Sequence, residues 1–257
     1  MECFVHADKK YFPEYNWFEK AISYPYKAPT TSFTFKNGKF YQGIHISLKD
    51  RVPILSIGSN RSPYQLKNKF GVKENLCVTP AKLYNSVIVY AASMSAYGSI
   101  PATQWPCEGS VSDLNLLWLN QDQLQIMHLS EGLGIAYHYV ELDKNTVTIQ
   151  EDDYSGPIFG YISTRGGYLF DGNELLRLKN IKSNTNTHSS INEYQALNKL
   201  FLENPDGQTS LETWLKNFIS NKSKRLSLID KMSKKSFLPK YVPWKILDLK
   251  VNGNNIY

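Results

Sequence analysis

Apolar positions along this chain follow two regimes. Between residues 32 and 163 they come in short runs or alternate with polar residues, and β-branched and aromatic side chains dominate, a pattern that predicts strands. Residues 32–35 and 39–46 flank Asn37-Gly38, a pair suited to a type I′ turn, and predict a β-hairpin. Residues 51–57, 86–92, 110–119, 135–142, 145–150 and 157–163 predict further strands, with a turn at Asp143-Lys144 between the fourth and fifth of these. After about residue 173 the apolar spacing becomes i, i+3, i+4. That predicts amphipathic helices over 193–203 and 210–219, separated by the break Asn204-Pro205-Asp206-Gly207, and a third helix over 225–232.

Two short helices interrupt the strand region. Ser62, Pro63 and Gln65 read as a capping box with proline at the first helical position, for a helix ending near Phe70-Gly71. Asn120 with Gln123 starts a second helix, which runs into Ser130-Glu131-Gly132. The pattern divides the chain into an aromatic-rich N-terminal extension (1–50), a strand-rich domain (51–181) and a helical, basic C-terminal region (182–257), an α+β class of protein.

Composition narrows this picture only slightly. With 257 residues, 42% hydrophobic and 20% charged, the chain can bury a core without disulfides or metals. No apolar run approaches the roughly 18 residues of a membrane span. The first twenty residues lack a basic stretch followed by an apolar block, and Cys3, Cys77 and Cys107 are odd in number and widely spaced. Both features predict a cytoplasmic protein with reduced thiols. The net charge of +6 is uneven: ten Lys/Arg against Asp230 and Asp248 lie between Lys216 and Lys250, which leaves about −2 on the remainder. No base-stacking aromatic pattern accompanies these lysines, so they read as a solvated helix surface and a nucleic-acid partner is not expected. The chain leaves the oligomeric state open.

Chemistry concentrates in two places. One is Gly58-Ser59-Asn60, set between a buried strand and a helix start. Two readings fit it: a turn in which glycine supplies a positive φ, or a cradle of backbone N–H groups for a negatively charged or polarised oxygen. The other is Glu131, at a helix end before Gly132. Ser59 and Ser130 lack the Gly-x-Ser-x-Gly context of a nucleophile elbow. His128 and His138 have no carboxylate or cysteine partner at metal spacing, and read as packing or surface residues. Tyr137 and Tyr139 share one face of their strand and line either a cavity or the core. Arg165 offers a cation for a substrate carboxylate.

Leu55-Ser56-Ile57-Gly58-Ser59-Asn60, then Leu129-Ser130-Glu131-Gly132, then Ala136-Tyr137-His138-Tyr139-Val140 together resemble the γ-glutamylcyclotransferase-like family over about residues 52–181. Ser99-Ile100-Pro101-Ala102-Thr103 stands where that family has a small-residue stretch. The chain departs from the family in having Ile57 where it has tyrosine, which removes a hydroxyl from the site. The resemblance implies a small mixed β-barrel-like sheet and cyclisation of a γ-glutamyl compound to 5-oxoproline, with release of an amine or amino acid. It implies Glu131 as acid/base, the amides of Gly58, Ser59 and Asn60 as an oxyanion cradle, and no metal or cofactor. The rival expectation is a non-catalytic binding protein that keeps the pocket and holds a partner through its aromatic N-terminus or basic C-terminus.

Overall fold

The computed structural model describes residues 10–149 and 154–247. Cys3, Gln150 (the end of one expected strand), Asp248 and Lys250 lie outside the described residues. The elements run α1 (Trp17–Ile22), β1 (Phe33–Lys36), β2 (Lys39–Gln42), β3 (Val52–Ser56), a 3-10 turn (Ser59–Arg61), α2 (Pro63–Phe70), β4 (Leu76–Tyr90), β5 (Ala102–Leu119), α3 (Gln121–Ser130), β6 (Tyr137–Leu142), β7 (Val147–Ile149) and β8 (Phe159–Ser163). They continue with β9 (Gly167–Phe170), β10 (Glu174–Leu175), β11 (Arg177–Leu178), β12 (Ser190–Ile191), α4 (Glu193–Glu203), α5 (Leu211–Ser220), α6 (Lys222–Lys234), β13 (Ser236–Phe237) and β14 (Trp244–Ile246).

Local chemistry explains most of these boundaries. Asn37 and Gly38 both have positive φ, 50° and 72°, as a type I′ hairpin turn requires. Asn16, Asn120 and Asn192 each complete a capping box at the start of α1, α3 and α4. Ser62 does not. Its hydroxyl makes no capping bond and is buried with no partner among the described residues, so Pro63 marks the start of α2. β4 and β5 are far longer than the runs 86–92 and 110–119. They pair antiparallel from Cys77↔Trp118 to Tyr90↔Ala102, with a register shift between Tyr84 and Ser86. Asn85 (φ 53°) and Gly109 (φ 72°) bend the ribbon there, and Gly109 N–H donates to Asn85 Oδ1 at 2.9 Å.

The expected barrel does not form. The main sheet has eleven strands in the order β12-β11-β4-β5-β3-β8-β6-β14, with β1, β2 and β7 branching off it. Its end strands β12 and β14 do not pair, and closure requires that they should. The branching lies along β4. One side of it carries β5, and β1, β7 and β11 take successive short stretches of the other, at 76–78, 81–83 and Val89. The sheet is mixed, with β3·β8 and β11·β12 parallel. An α+β fold with a helical region stands; a barrel-like sheet does not.

Side chains alternate across this sheet as a half-buried strand demands. Leu55, Leu116 and Trp118 join a core cluster with Leu197, Trp214 and Leu228 of α4, α5 and α6. Their neighbours Ile54, Leu117 and Leu119 join a second cluster with Leu66, Phe70, Leu124 and Met127 of α2 and α3. The sheet is therefore covered by α2 and α3 on one side and by the C-terminal helices on the other. The turn after β3 is pinned between these layers. Among the described residues, no helix is long and apolar enough to cross a membrane.

Candidate active site

The end of β3, the 3-10 turn, α2, the segment 93–102, the end of α3 and the start of β6 enclose a cavity of about 570 Å³. Gly58, Ser59, Asn60, Glu131 and Tyr137 all line it. Two segments some seventy residues apart thus converge, because β5 returns beside β3 and delivers α3 against α2.

Glu131 is the residue after α3, and its side chain is 14% exposed. Its Oε1 accepts from Asn60 Nδ2 at 3.0 Å and forms an ion pair with Lys69 Nζ of α2. Lys69 is 7% exposed and also touches Met127 Sδ at 3.3 Å. This partner was absent from the sequence reading. A signal for it existed: Gln65, Asn68 and Lys69 stand at i, i+3 and i+4 on α2, and all three line the cavity.

The glycine at 58 answers a contact rather than a turn. Its φ is −135°, outside the left-handed region. A Cβ built there would lie 2.1 Å from the Tyr24 hydroxyl. Tyr24 comes from the end of α1, and its hydroxyl accepts from Ala102 N–H at 3.0 Å, so the N-terminal residues form part of the cavity wall. Ile57 also lines the cavity, and Tyr24, Tyr97, Tyr137 and Tyr161 are the phenols around it. The first amides of the 3-10 turn have no acceptor within the turn, as at any helix start.

The phenols are held neutral. Burial, with Glu131 nearby, pushes the Tyr97 hydroxyl up to about 12, against hydrogen bonding from Ser59 and Ser95. Burial and then Glu131 also raise Tyr137 and Tyr161. Tyr137 donates to Ala102 O at 3.1 Å. Lys20 Nζ sits 5.0 Å from the centre of the Tyr97 ring and places a second cation at the wall.

Two of the expected site residues do not line this cavity. Tyr139 is buried in an aromatic cluster with His128, Phe159 and Tyr161. Arg165 donates to Ile135 O at 3.1 Å at an exposed position. His128 is a packing residue, with its Nδ1 2.8 Å from the Tyr161 hydroxyl.

No family model matches this chain, and no curated protein matches it. Among solved structures it is similar to At5g39720.1 from Arabidopsis thaliana, a solution structure. That match has a TM-score of 0.34 and 15% identity, and it covers 46% of this chain and 74% of the other. A likeness at that level is too weak to bear on function. The cavity's own residues are what remains to reason from.

The cavity can hold a small polar molecule between one carboxylate, two ammonium groups and several neutral phenols. The combination suits proton transfer to or from a bound ligand.

Proposed function

We propose that the protein cyclises a γ-glutamyl compound to 5-oxoproline and releases an amine or amino acid. The observation that supports this reading is the position of the Glu131 carboxylate. It lies in the same 570 Å³ cavity as Gly58, Ser59 and Asn60, hydrogen-bonded to Asn60. The substrate's ammonium gives a proton to Glu131. The freed amine attacks the γ-carbonyl and forms the lactam C–N bond. The Gly58–Asn60 amides receive the charge that develops on the oxygen. As the old C–N bond breaks, Glu131 gives that proton to the leaving nitrogen, takes the second proton from the ring nitrogen, and passes it to the released amine, which departs as ammonium; lactam N–H, ammonium and carboxylate result, and atoms and charge balance without a covalent enzyme intermediate. Folding the substrate so that amine and carbonyl meet contributes several kcal/mol on its own. Lys69 has a place in this scheme: the substrate's α-carboxylate takes over its charge and leaves Glu131 able to accept the proton.

Lys69 also favours a second reading, a binding protein without turnover. Glu131 already pairs with Lys69 and accepts from Asn60, so a ligand must displace that pair before the carboxylate can take its proton. Incubation with γ-glutamyl dipeptides separates the two. The enzyme reading expects 5-oxoproline from the wild type and almost none from Glu131→Gln. Saturable binding of the dipeptide with no product from either protein selects the binding role.

A further inference from the structure

A second cavity, of about 340 Å³, shares no lining residue with the first. Thr30, Arg61, Lys82, Asp113, Asn115 and Thr148 supply its polar groups, and Pro80, Ala81, Leu114 and Ile149 its apolar wall. Arg61 is the last residue of the 3-10 turn that carries Ser59 and Asn60. The turn therefore presents consecutive side chains to two separate cavities.

Arg61 is half-buried in the wall of this cavity. Burial lowers its guanidinium to about 10, with the charge of Asp113 opposing. Among the described residues it makes one hydrogen bond, from Nη1 to the Asp113 carbonyl oxygen at 3.1 Å, and no carboxylate lies within ion-pair distance of it. A guanidinium has five N–H donors in a planar fork. The other N–H groups of the fork have no hydrogen-bond acceptor among the described residues. The Asp113 carboxylate is instead engaged by Lys82 at 3.2 Å and Lys182 at 3.8 Å.

Asn115 supplies a second unmet demand. It is 1% exposed, lines the cavity, and its Oδ1 is buried with no hydrogen-bond partner among the described residues. The cavity thus holds an unused bidentate donor and an unused acceptor beside apolar surface. Its charged lining groups are Arg61, Lys82 and Asp113, one net positive charge.

We propose that this cavity binds a small monocarboxylate that carries a hydroxyl or N–H group next to its acid and has an apolar body. The carboxylate meets the Arg61 fork, the neighbouring O–H or N–H donates to Asn115 Oδ1, and the body packs on Ala81, Leu114 and Ile149. One net positive charge matches one carboxylate. A phosphate dianion would leave a negative charge uncompensated in the same space. The proposal stands apart from any reaction at Glu131.

Titration of isotope-labelled full-length protein with 2-hydroxyisocaproate, followed by NMR, tests it. The expected result is a saturable shift of the Lys82, Asp113, Thr148 and Ile149 amides, weakened at least tenfold in Arg61→Met and less in Arg61→Lys. Isocaproate, which lacks the hydroxyl, should bind more weakly, and so should inorganic phosphate. If Arg61→Met does not fold, the wild-type map and Arg61→Lys carry the same test. The absence of a saturable shift overturns the site, as does an equal response in a folded Arg61→Met, or shifts centred on Tyr97 and Glu131. Phosphate binding more tightly than the hydroxy acid overturns the ligand class.

Discussion

Asn60 and Arg61 are neighbours on one short turn, yet they serve cavities that treat charge in opposite ways. On the Asn60 side the charge is balanced from within: Glu131 has Lys69, and Asn60 donates to the same carboxylate oxygen. On the Arg61 side the guanidinium has a single carbonyl; the Asn115 amide oxygen, like that of Asn60, has no partner among the described residues. A balanced pair is stable without a ligand, and any ligand must compete with it. An unbalanced group lowers stability while it is empty and gains most when it is filled. The first arrangement suits a site where charge must move during a reaction, the second a site that only holds.

The largest effect that sharpens this contrast is on turnover. Glu131→Gln keeps the size of the side chain and an acceptor for Asn60 but cannot take a proton. Loss of 5-oxoproline formation by about 10²–10⁴-fold is expected, read by product release from γ-glutamyl dipeptides. Retention of the wild-type rate by the variant would remove Glu131 from the chemistry. Stability comes next. Lys69→Met leaves a nearly buried carboxylate without its cation, which costs about 3–5 kcal/mol. The double variant Lys69→Met, Glu131→Gln should recover most of that loss in urea denaturation. Arg61→Met, measured without ligand, should be close to neutral or slightly stabilising, because it strands no opposite charge. Equal losses from Lys69→Met and Arg61→Met would erase the distinction between the cavities.

Much of the frame was legible where the causes are local. The Asn37-Gly38 hairpin, the Asn120 capping box and the C-terminal helices follow from residues within four positions of one another. Only a resemblance put the 58–60 loop and Glu131 side by side, since nothing in their local sequence does; both line one cavity. The barrel was not, because closure depends on whether β12 and β14 pair, and nothing in a strand's own pattern states which edge it will join. β4 and β5 were underread for a local reason. Pro80, Pro106 and Gly109 look like strand breakers, but here they sit inside a long twisted ribbon with an irregularity at Tyr84/Ser86. Gly58 had the right identity and the wrong cause, since its neighbour Tyr24 lies thirty-four residues upstream. Lys69 and the vacant fork of Arg61 were hidden because the partner of a charge is a property of tertiary packing.

A third buried charge extends the comparison and carries the smallest prediction. Glu193 opens α4 and is 1% exposed; its Oε1 accepts from Ile100 N–H at 2.6 Å and its Oε2 has no partner among the described residues. It stands behind the 100–102 wall of the Glu131 cavity, near the buried hydroxyls of Tyr24, Tyr26, Tyr90 and Tyr97. Among the described residues no cation pairs with it. Burial raises it well above the ordinary 4.5, against the Ile100 hydrogen bond, which favours its protonated form. The sign of the consequence follows from linkage. Below about pH 4.5 folded and unfolded chains both hold the proton. As the pH rises above that, the unfolded chain releases it first, so stability falls, by at most about 1.4 kcal/mol per pH unit, until the folded carboxyl also ionises. Glu193→Gln cannot ionise and removes this slope. Its melting temperature should match the wild type near pH 4 and exceed it increasingly towards pH 8. His128 and His188, both lowered by burial, make the protein less stable as the pH falls below about 6.5, but they do so in both proteins and cancel in the difference. A difference between the two melting curves that stays flat from pH 4 to 8 would mean that Glu193 is charged in the folded state. The wall of the active cavity would then contain an unbalanced charge of the same kind as Arg61.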